Sequence, residues 1–193
     1  MLNKKEIISN IVWFGGLLIV LFIIRTFVFM PVVVSGNSMD PTLQDRERVI
    51  ATKTKKIERF DIVTFPAPDD PKKSYVKRVI GLPGDTVEYK NDQLLINGEE
   101  YDEPYLDEFK GQLEDGDFLT IVTAEDGQPH SEFSLANLTA LGSSTVPEGE
   151  LFVLGDNRRI SKDSRLIGFI EKSDITGNVK FCIWPPSKFG PVN

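Results

Sequence analysis

Cysteine and histidine each occur once in 193 residues, and the two scarcities close off several classes of chemistry. A lone cysteine, Cys182, cannot form an intramolecular disulfide, which fits either a reducing compartment or an exported protein that does without bridges. One histidine and one cysteine cannot build a usual zinc site, so a metal-independent chemistry with no cofactor is expected. A Ser-His-Asp triad has only His130 to use, in Glu125-Asp126-Gly127-Gln128-Pro129-His130-Ser131, which reads as a solvated loop and a poor mount for one fixed tautomer. A basic excess is also lacking: 22 Lys and Arg stand against 29 Asp and Glu, a formal charge of −7, which argues against a nucleic-acid partner. Beyond residue 31 there is no sustained 3.6-residue periodicity and no internal repeat.

There is one long apolar run. Ile7 to Ile24 are uncharged, close to the roughly 20 residues that cross a bilayer. Arg25 ends the run and can snorkel to the interface, which lets Thr26 to Met30 extend the span. Lys4 and Lys5 precede it, and the positive-inside rule then places the N-terminus in the cytoplasm. A cleaved signal peptide is the competing reading. A cut at the loose Val33/Ser35 pattern would fall beside Ser38, so a retained anchor is preferred. The expected division is a cytoplasmic N-terminus and transmembrane anchor over residues 1–30 and an outward-facing domain over 31–193.

That domain reads as short strands punctuated by Pro and Gly: 48–51, 62–65, 76–80, 86–89, 94–96 before the Asn97-Gly98 turn, 118–122, 151–154 and 179–183. The pattern predicts a mainly β barrel or sandwich. Pro66 to Pro71 reads as an irregular loop. Residues 99–117 hold nine acids against Lys110 alone, and this net −8 carries all the excess negative charge. The acids lack the alternation of a calcium loop, so they read as the solvated face of an acidic subdomain inserted over about residues 90–150.

Just past the anchor stands Ser35-Gly36-Asn37-Ser38-Met39-Asp40-Pro41-Thr42-Leu43. A small-residue turn there presents the Ser38 hydroxyl, and Pro41 stiffens the exit. Alone, such a turn is an ordinary surface feature. As a nucleophile Ser38 needs a base, and a lysine serves if burial lowers its pKa. Lys77 is the candidate, in the apolar strand Tyr75-Val76-Lys77-Arg78-Val79-Ile80 closed by Gly81-Leu82-Pro83-Gly84-Asp85, with Val76, Val79 and Met39 available to desolvate it. Ser74 and Lys77 also match Ser-x-x-Lys, but that motif needs a helix, and residues three apart on a strand face opposite ways.

Together these stretches resemble the type I signal peptidases (leader peptidases), in their Gram-positive single-anchor form. Two further blocks agree, Arg59-Phe60-Asp61-Ile62-Val63-Thr64-Phe65 and Gly155-Asp156-Asn157-Arg158-Arg159-Ile160-Ser161-Lys162-Asp163-Ser164-Arg165, so the likeness runs over roughly residues 5–170. It implies Ser38 as nucleophile and Lys77 as general base of a membrane-bound serine endopeptidase with no metal or cofactor. Ser161 would hydrogen-bond the lysine, and Asp163 and Arg165 would brace the site. Some members carry a serine two residues before the nucleophile to help bind the oxyanion. Here that position is Gly36, which leaves the Ser38 N–H and an unassigned second donor, with Ser35 not favoured. Arg159 stands where many relatives have an acid and takes no role. The implied partners are secreted preproteins with small residues at the first and third positions before the cut, membrane lipid, and the secretion machinery.

Three rival readings compete with this one. A sortase-like transpeptidase would use Cys182 with His130, but Phe181-Cys182-Ile183-Trp184-Pro185 reads as a buried strand, where thiols are mostly inert. A self-cleaving repressor shares Ser-Lys chemistry but would lack the anchor and carry a DNA-binding region. A non-catalytic relative would be free to lose Ser38 or Lys77, and both are present.

Overall fold

The computed structural model describes residues 3–54, 56–123 and 127–192, with the side chains of 23–27 and 71 left out. Glu125, Asp126 and the expected snorkelling of Arg25 therefore lie outside the described residues.

The apolar run winds into one helix, α1 (Lys4–Phe27). Its start is capped reciprocally: the Glu6 carboxylate accepts the Asn3 N–H at 3.2 Å, and Asn3 Oδ1 accepts the Lys5 N–H at 3.4 Å. Ile8, Phe14 and Val20, which point to three different sides at 3.6 residues per turn, are all exposed, and the helix is long and apolar enough to cross a membrane. It stops at Phe27, short of the extension to Met30. Phe29 and Met30 belong instead to β1 (Phe29–Val33), opposite Thr52 and Ala51 of β2 (Arg48–Thr52).

The β1–β2 connection, residues 34–47, carries Ser38. Next come β3 (Ile62–Ala67) and β4 (Asp70–Gly81), joined by a two-residue turn at Pro68-Asp69. The loop expected over Pro66 to Pro71 is thus a hairpin tip. Both strands run into it, with Ser74 opposite Pro66 and Asp70 opposite Ala67. Pro66 is tolerated because the strand on the other side of β3 pairs only with Ile62 to Thr64.

Residues between β4 and the next long strand form a separate lobe. It holds β5 (Val87–Lys90), β6 (Gln93–Ile96), β7 (Glu99–Tyr101), a one-turn α2 (Asp107–Lys110), the ribbon β8 (Val122–Thr123) with β9 (Pro129–His130), and β10 (Glu132–Ser134). Its four-stranded sheet runs β10-β5-β6-β7. Asn97 and Gly98 turn the β6–β7 hairpin with φ of 54° and 80°, the two positive values that a type I′ turn demands. Of the strand expected over 118–122, only Val122 lies in a strand, at the start of β8. Asp92 accounts for this: its carboxylate accepts the N–H groups of Leu119 at 2.7 Å and Thr120 at 2.6 Å, donors a ladder would need.

The chain then returns through β11 (Glu150–Leu154), a one-turn α3 (Ser164–Ile167), β12 (Ile170–Glu171), β13 (Gly177–Trp184) and β14 (Gly190–Pro191). The large antiparallel sheet runs β1-β2-β13-β3-β4-β11-β12, with β14 on β13. The domain is mainly β, as the strand pattern implied. Its central strands are buried on both faces: Val63, Phe65, Val79 and Val153 pack in one layer, and Val49, Ile62, Val76 and Val179 with Met39 in another. A third cluster joins Ile80, Phe152 and Leu154 to Tyr89, Leu94, Ile96 and Phe133 of the lobe, so lobe and sheet share apolar contact.

Candidate active site

Strand pairing brings the site together. β11 lies antiparallel to β4 with Leu154 opposite Arg78 and Val153 opposite Val79. The turn after β11, Gly155-Asp156-Asn157, therefore arrives beside Lys77 and Arg78. The Ser38 connection docks on that turn. Asn157 donates its N–H to the Ser38 carbonyl at 3.1 Å, and Thr42 Oγ1 donates to Asp156 Oδ2 at 2.6 Å. Arg78 closes the other side with two bonds to Asp156, Nε to Oδ1 at 2.9 Å and Nη2 to Oδ2 at 2.7 Å, and donates to the Phe60 carbonyl at 3.0 Å. Both ions of this pair are buried, so removing either one would strand the other at a cost of about 3–5 kcal/mol.

Within this frame Lys77 Nζ donates to Ser38 Oγ at 2.8 Å. Lys77 is 2% exposed and shares its strand face with Tyr75 and Val79, the Tyr75 ring centre lying 5.2 Å from Nζ. Val76, one residue away, points instead into the layer that holds Met39. Burial is the main cause that brings the lysine pKa down from 10.5 to about 8; Asp163 and Asp156 oppose the drop and Arg165 adds to it.

Asp163 and Arg165 stand together as expected. Two bonds, Nε to Oδ1 and Nη2 to Oδ2, both 2.8 Å, join the guanidinium to the carboxylate, and Asp163 Oδ2 also accepts the Gly155 N–H at 3.1 Å. Burial alone would raise the Asp163 pKa, but Arg165 holds it below the usual range. Ser161 is buried beside Gly155. Its hydroxyl lies close to Asp163, yet among the described residues it makes no hydrogen bond of ordinary geometry, and none joins it to Lys77. Gly36 has φ +83° and gives its N–H to Asp45 Oδ1 at 2.9 Å, so that donor is occupied. The Ser38 N–H has no partner among the described residues and remains free for an oxyanion. Ser35 is exposed.

Several members of this frame are absent from the expected set. Arg78 and Asp156 had a sequence signal: Arg78 follows Lys77 in an apolar strand, and adjacent cations there need buried partners on both faces. Arg159 pairs with Asp117 at 3.1 Å on the surface. Of the nine acids in 99–117, Glu103 departs from the solvated reading, being 4% exposed and paired with Arg158. Cys182 is 3% exposed in β13, its thiol donating to the Trp184 carbonyl at 3.2 Å, while His130 lies in the β8–β9 ribbon. Two cavities of about 650 Å³ each open elsewhere, one along Glu148–Glu150 and Glu171–Ser173, the other between Arg59–Ile62 and Tyr105. Neither is lined by Ser38, which is half-buried, or by the buried Lys77.

A partly exposed serine hydroxyl held by a desolvated lysine is equipment for a serine endopeptidase. Comparison with known proteins is more specific: the sequence profile of the signal peptidase family, peptidase S26, matches residues 7–184, and the chain belongs to that family. It is 42% identical over 190 residues to a signal peptidase IB of Staphylococcus aureus (strain COL), covering 96% of this chain and 94% of that one. It is 44% identical over 181 residues to a signal peptidase I of Bacillus caldolyticus, covering 92% and 91%. The crystal structure of a signal peptidase I from Enterococcus faecalis V583, 44% identical, matches with a TM-score of 0.56 over 64% of this chain and 96% of that one.

Proposed function

We propose that this protein removes N-terminal signal peptides from secreted preproteins by a Ser-Lys acyl-enzyme mechanism while anchored in the membrane by α1. The observation that carries the reading is the 2.8 Å contact between Ser38 Oγ and a buried Lys77 Nζ. With one proton fewer on Nζ, the contact reverses and the neutral amine accepts the serine proton. Oγ then bonds to the scissile carbonyl carbon, and the carbonyl oxygen takes up the negative charge facing the Ser38 N–H. Collapse breaks the C–N bond, the Lys77 ammonium returns the proton to the leaving amine, and the signal peptide stays esterified to Ser38. Neutral again, Lys77 takes a proton from water, whose oxygen bonds to the ester carbon; the C–Oγ bond then breaks, the Lys77 ammonium returns that proton to Ser38 Oγ, and the signal peptide leaves with a free carboxyl group. Asp163 and Arg165 support the lysine from behind. A substrate with small residues at the first and third positions before the cut would lie extended beside Ser38.

Incubating the detergent-solubilised protein with a preprotein and sequencing the product tests this. The expected new N-terminus directly follows a small-x-small segment; no product, or a cut elsewhere, contradicts it. kcat/KM should rise with pH, about tenfold per unit below a limb set near 8 by the lowered Lys77 pKa, because only the neutral amine acts as base. A profile flat from pH 6 to 9 counts against the lysine.

Residues 1–30 are proposed as cytoplasmic N-terminus and anchor, and 31–193 as the extracytoplasmic peptidase domain, with preproteins delivered by the secretion machinery and membrane lipid around α1. Lys4 and Lys5 at the start of the helix support this orientation. Protease added to intact protoplasts should digest the domain; protection until the membrane is opened would reverse the orientation.

A further inference from the structure

A second buried charged cluster, apart from the dyad and the Arg78–Asp156 pair, joins the inserted lobe to the turn after β11. Arg158 is 1% exposed and Glu103, at the end of the lobe's small sheet, 4%. Arg158 Nη2 bonds Glu103 Oε1 at 2.5 Å. Nη1 donates to the Tyr89 hydroxyl at 2.8 Å and to Thr120 Oγ1 at 3.2 Å. Glu103 Oε1 also accepts the hydroxyls of Tyr89 at 2.9 Å and Tyr105 at 2.6 Å. The acidic side of this cluster comes wholly from the lobe, Arg158 comes from the block that forms the site, and the Arg78 guanidinium lies 3.8 Å over the Tyr105 ring.

Arg158 touches that block twice more. Its Nε donates to the Gly155 carbonyl at 3.1 Å, and its own carbonyl accepts Arg165 Nη2 at 2.7 Å. Gly155 gives its N–H to Asp163, and an added Cβ there would meet the Ser38 carbonyl at 2.4 Å. Arg165 Nη1 is held from the lobe side as well, by the Ile121 carbonyl at 2.9 Å. Gly155 and Arg165 are thus each fixed by Arg158 on one side and by Asp163 on the other.

We infer that Glu103 is a positioning residue for the Ser38–Lys77 pair, acting through Arg158 on Gly155 and Arg165; the inference rests on the Ser-Lys reading above. The lobe is then a brace for the site as well as an insertion. Its effect on the base has a definite sign. The charged groups facing Lys77 are Asp163, Asp156 and Arg165, with the Tyr75 ring on its own strand. When Arg158 loses its counter-ion, Arg165 loses a fixed acceptor and covers Asp163 less well. The exposed negative charge then favours the ammonium form of Lys77.

The test is the pH dependence of preprotein cleavage by the full chain in detergent. Glu103→Gln should move the limb of kcat/KM up by about one unit, which lowers kcat at neutral pH about tenfold and leaves KM unchanged. Tyr105→Phe removes one donor to Glu103 and keeps the ion pair, so it should give a smaller shift of the same sign. Glu100→Gln, exposed on β7 of the same lobe, should match wild type. A Glu103→Gln enzyme that melts earlier but keeps the wild-type limb and kcat overturns the inference, since a merely structural clip would behave that way. Should Glu103→Gln fail to fold, Tyr105→Phe decides: a raised limb supports the role and an unmoved one overturns it. A wild-type enzyme without any lysine-dependent limb would sink the Ser-Lys reading, and this inference with it.

Discussion

Replacing Lys77 by arginine is expected to abolish cleavage while the domain stays folded. Arginine keeps the positive charge beside Asp163 and Asp156, so a purely structural cation would tolerate the exchange. It cannot deprotonate in the working range, so the serine proton has nowhere to go. The loss should be at least about a thousandfold, the scale of a positioned general base. Ser38→Ala should be equally inactive, and the double variant no worse than either single one, because groups acting as a unit are non-additive. Circular dichroism and a thermal melt guard against misfolding, which matters because Lys77 is 2% exposed and arginine is larger. Substantial turnover by a folded Lys77→Arg enzyme would refute the dyad.

Gly155→Ala should be nearly as damaging for a different reason. The added methyl would lie 2.1 Å from Ser161 Oγ and 2.4 Å from the Ser38 carbonyl. A side chain can swing away from such a contact, but a backbone oxygen moves only if the nucleophile's own main chain moves. Displacement of about 1 Å typically costs a hundredfold in rate, so turnover should fall by about that factor. Adding Ser161→Gly should restore little, because the Ser38 contact persists. Gly84→Ala is the informative contrast. Gly84 has φ +87° but open space around it, so it should lower stability through backbone strain of about 1 kcal/mol and leave kcat alone. A Gly155→Ala enzyme with wild-type kcat would show that the loop is not wedged against the turn.

How much of this was legible in the chain depended on the range of the interactions. The Asn97-Gly98 hairpin, the β4 alternation and the apolar helix are local, and local chemistry announces them. The 118–122 strand failed because a carboxylate some 27 residues away, Asp92, captures its N–H groups. The Pro66–Pro71 segment misled because prolines look like loop until the neighbouring strand is seen to stop at Thr64. Ser38 and Lys77 stood out through their flanking motifs, 39 residues apart. Glu103 did not, since it sits among eight other acids and its partner lies 55 residues on; only the folded lobe shows that this carboxylate alone is buried. Desolvation of Lys77 by Val79 and the Tyr75 ring follows from strand alternation, whereas Met39 lies with Val76 across the sheet.

The most direct measurement is the titration of Lys77 itself, by NMR of the isotope-labelled lysine side chain in the folded protein. Its pKa should lie near 8 and coincide with the limb of kcat/KM. A value near 10.5, the ordinary lysine figure, would leave the ammonium charged throughout the working range and remove the base from the mechanism.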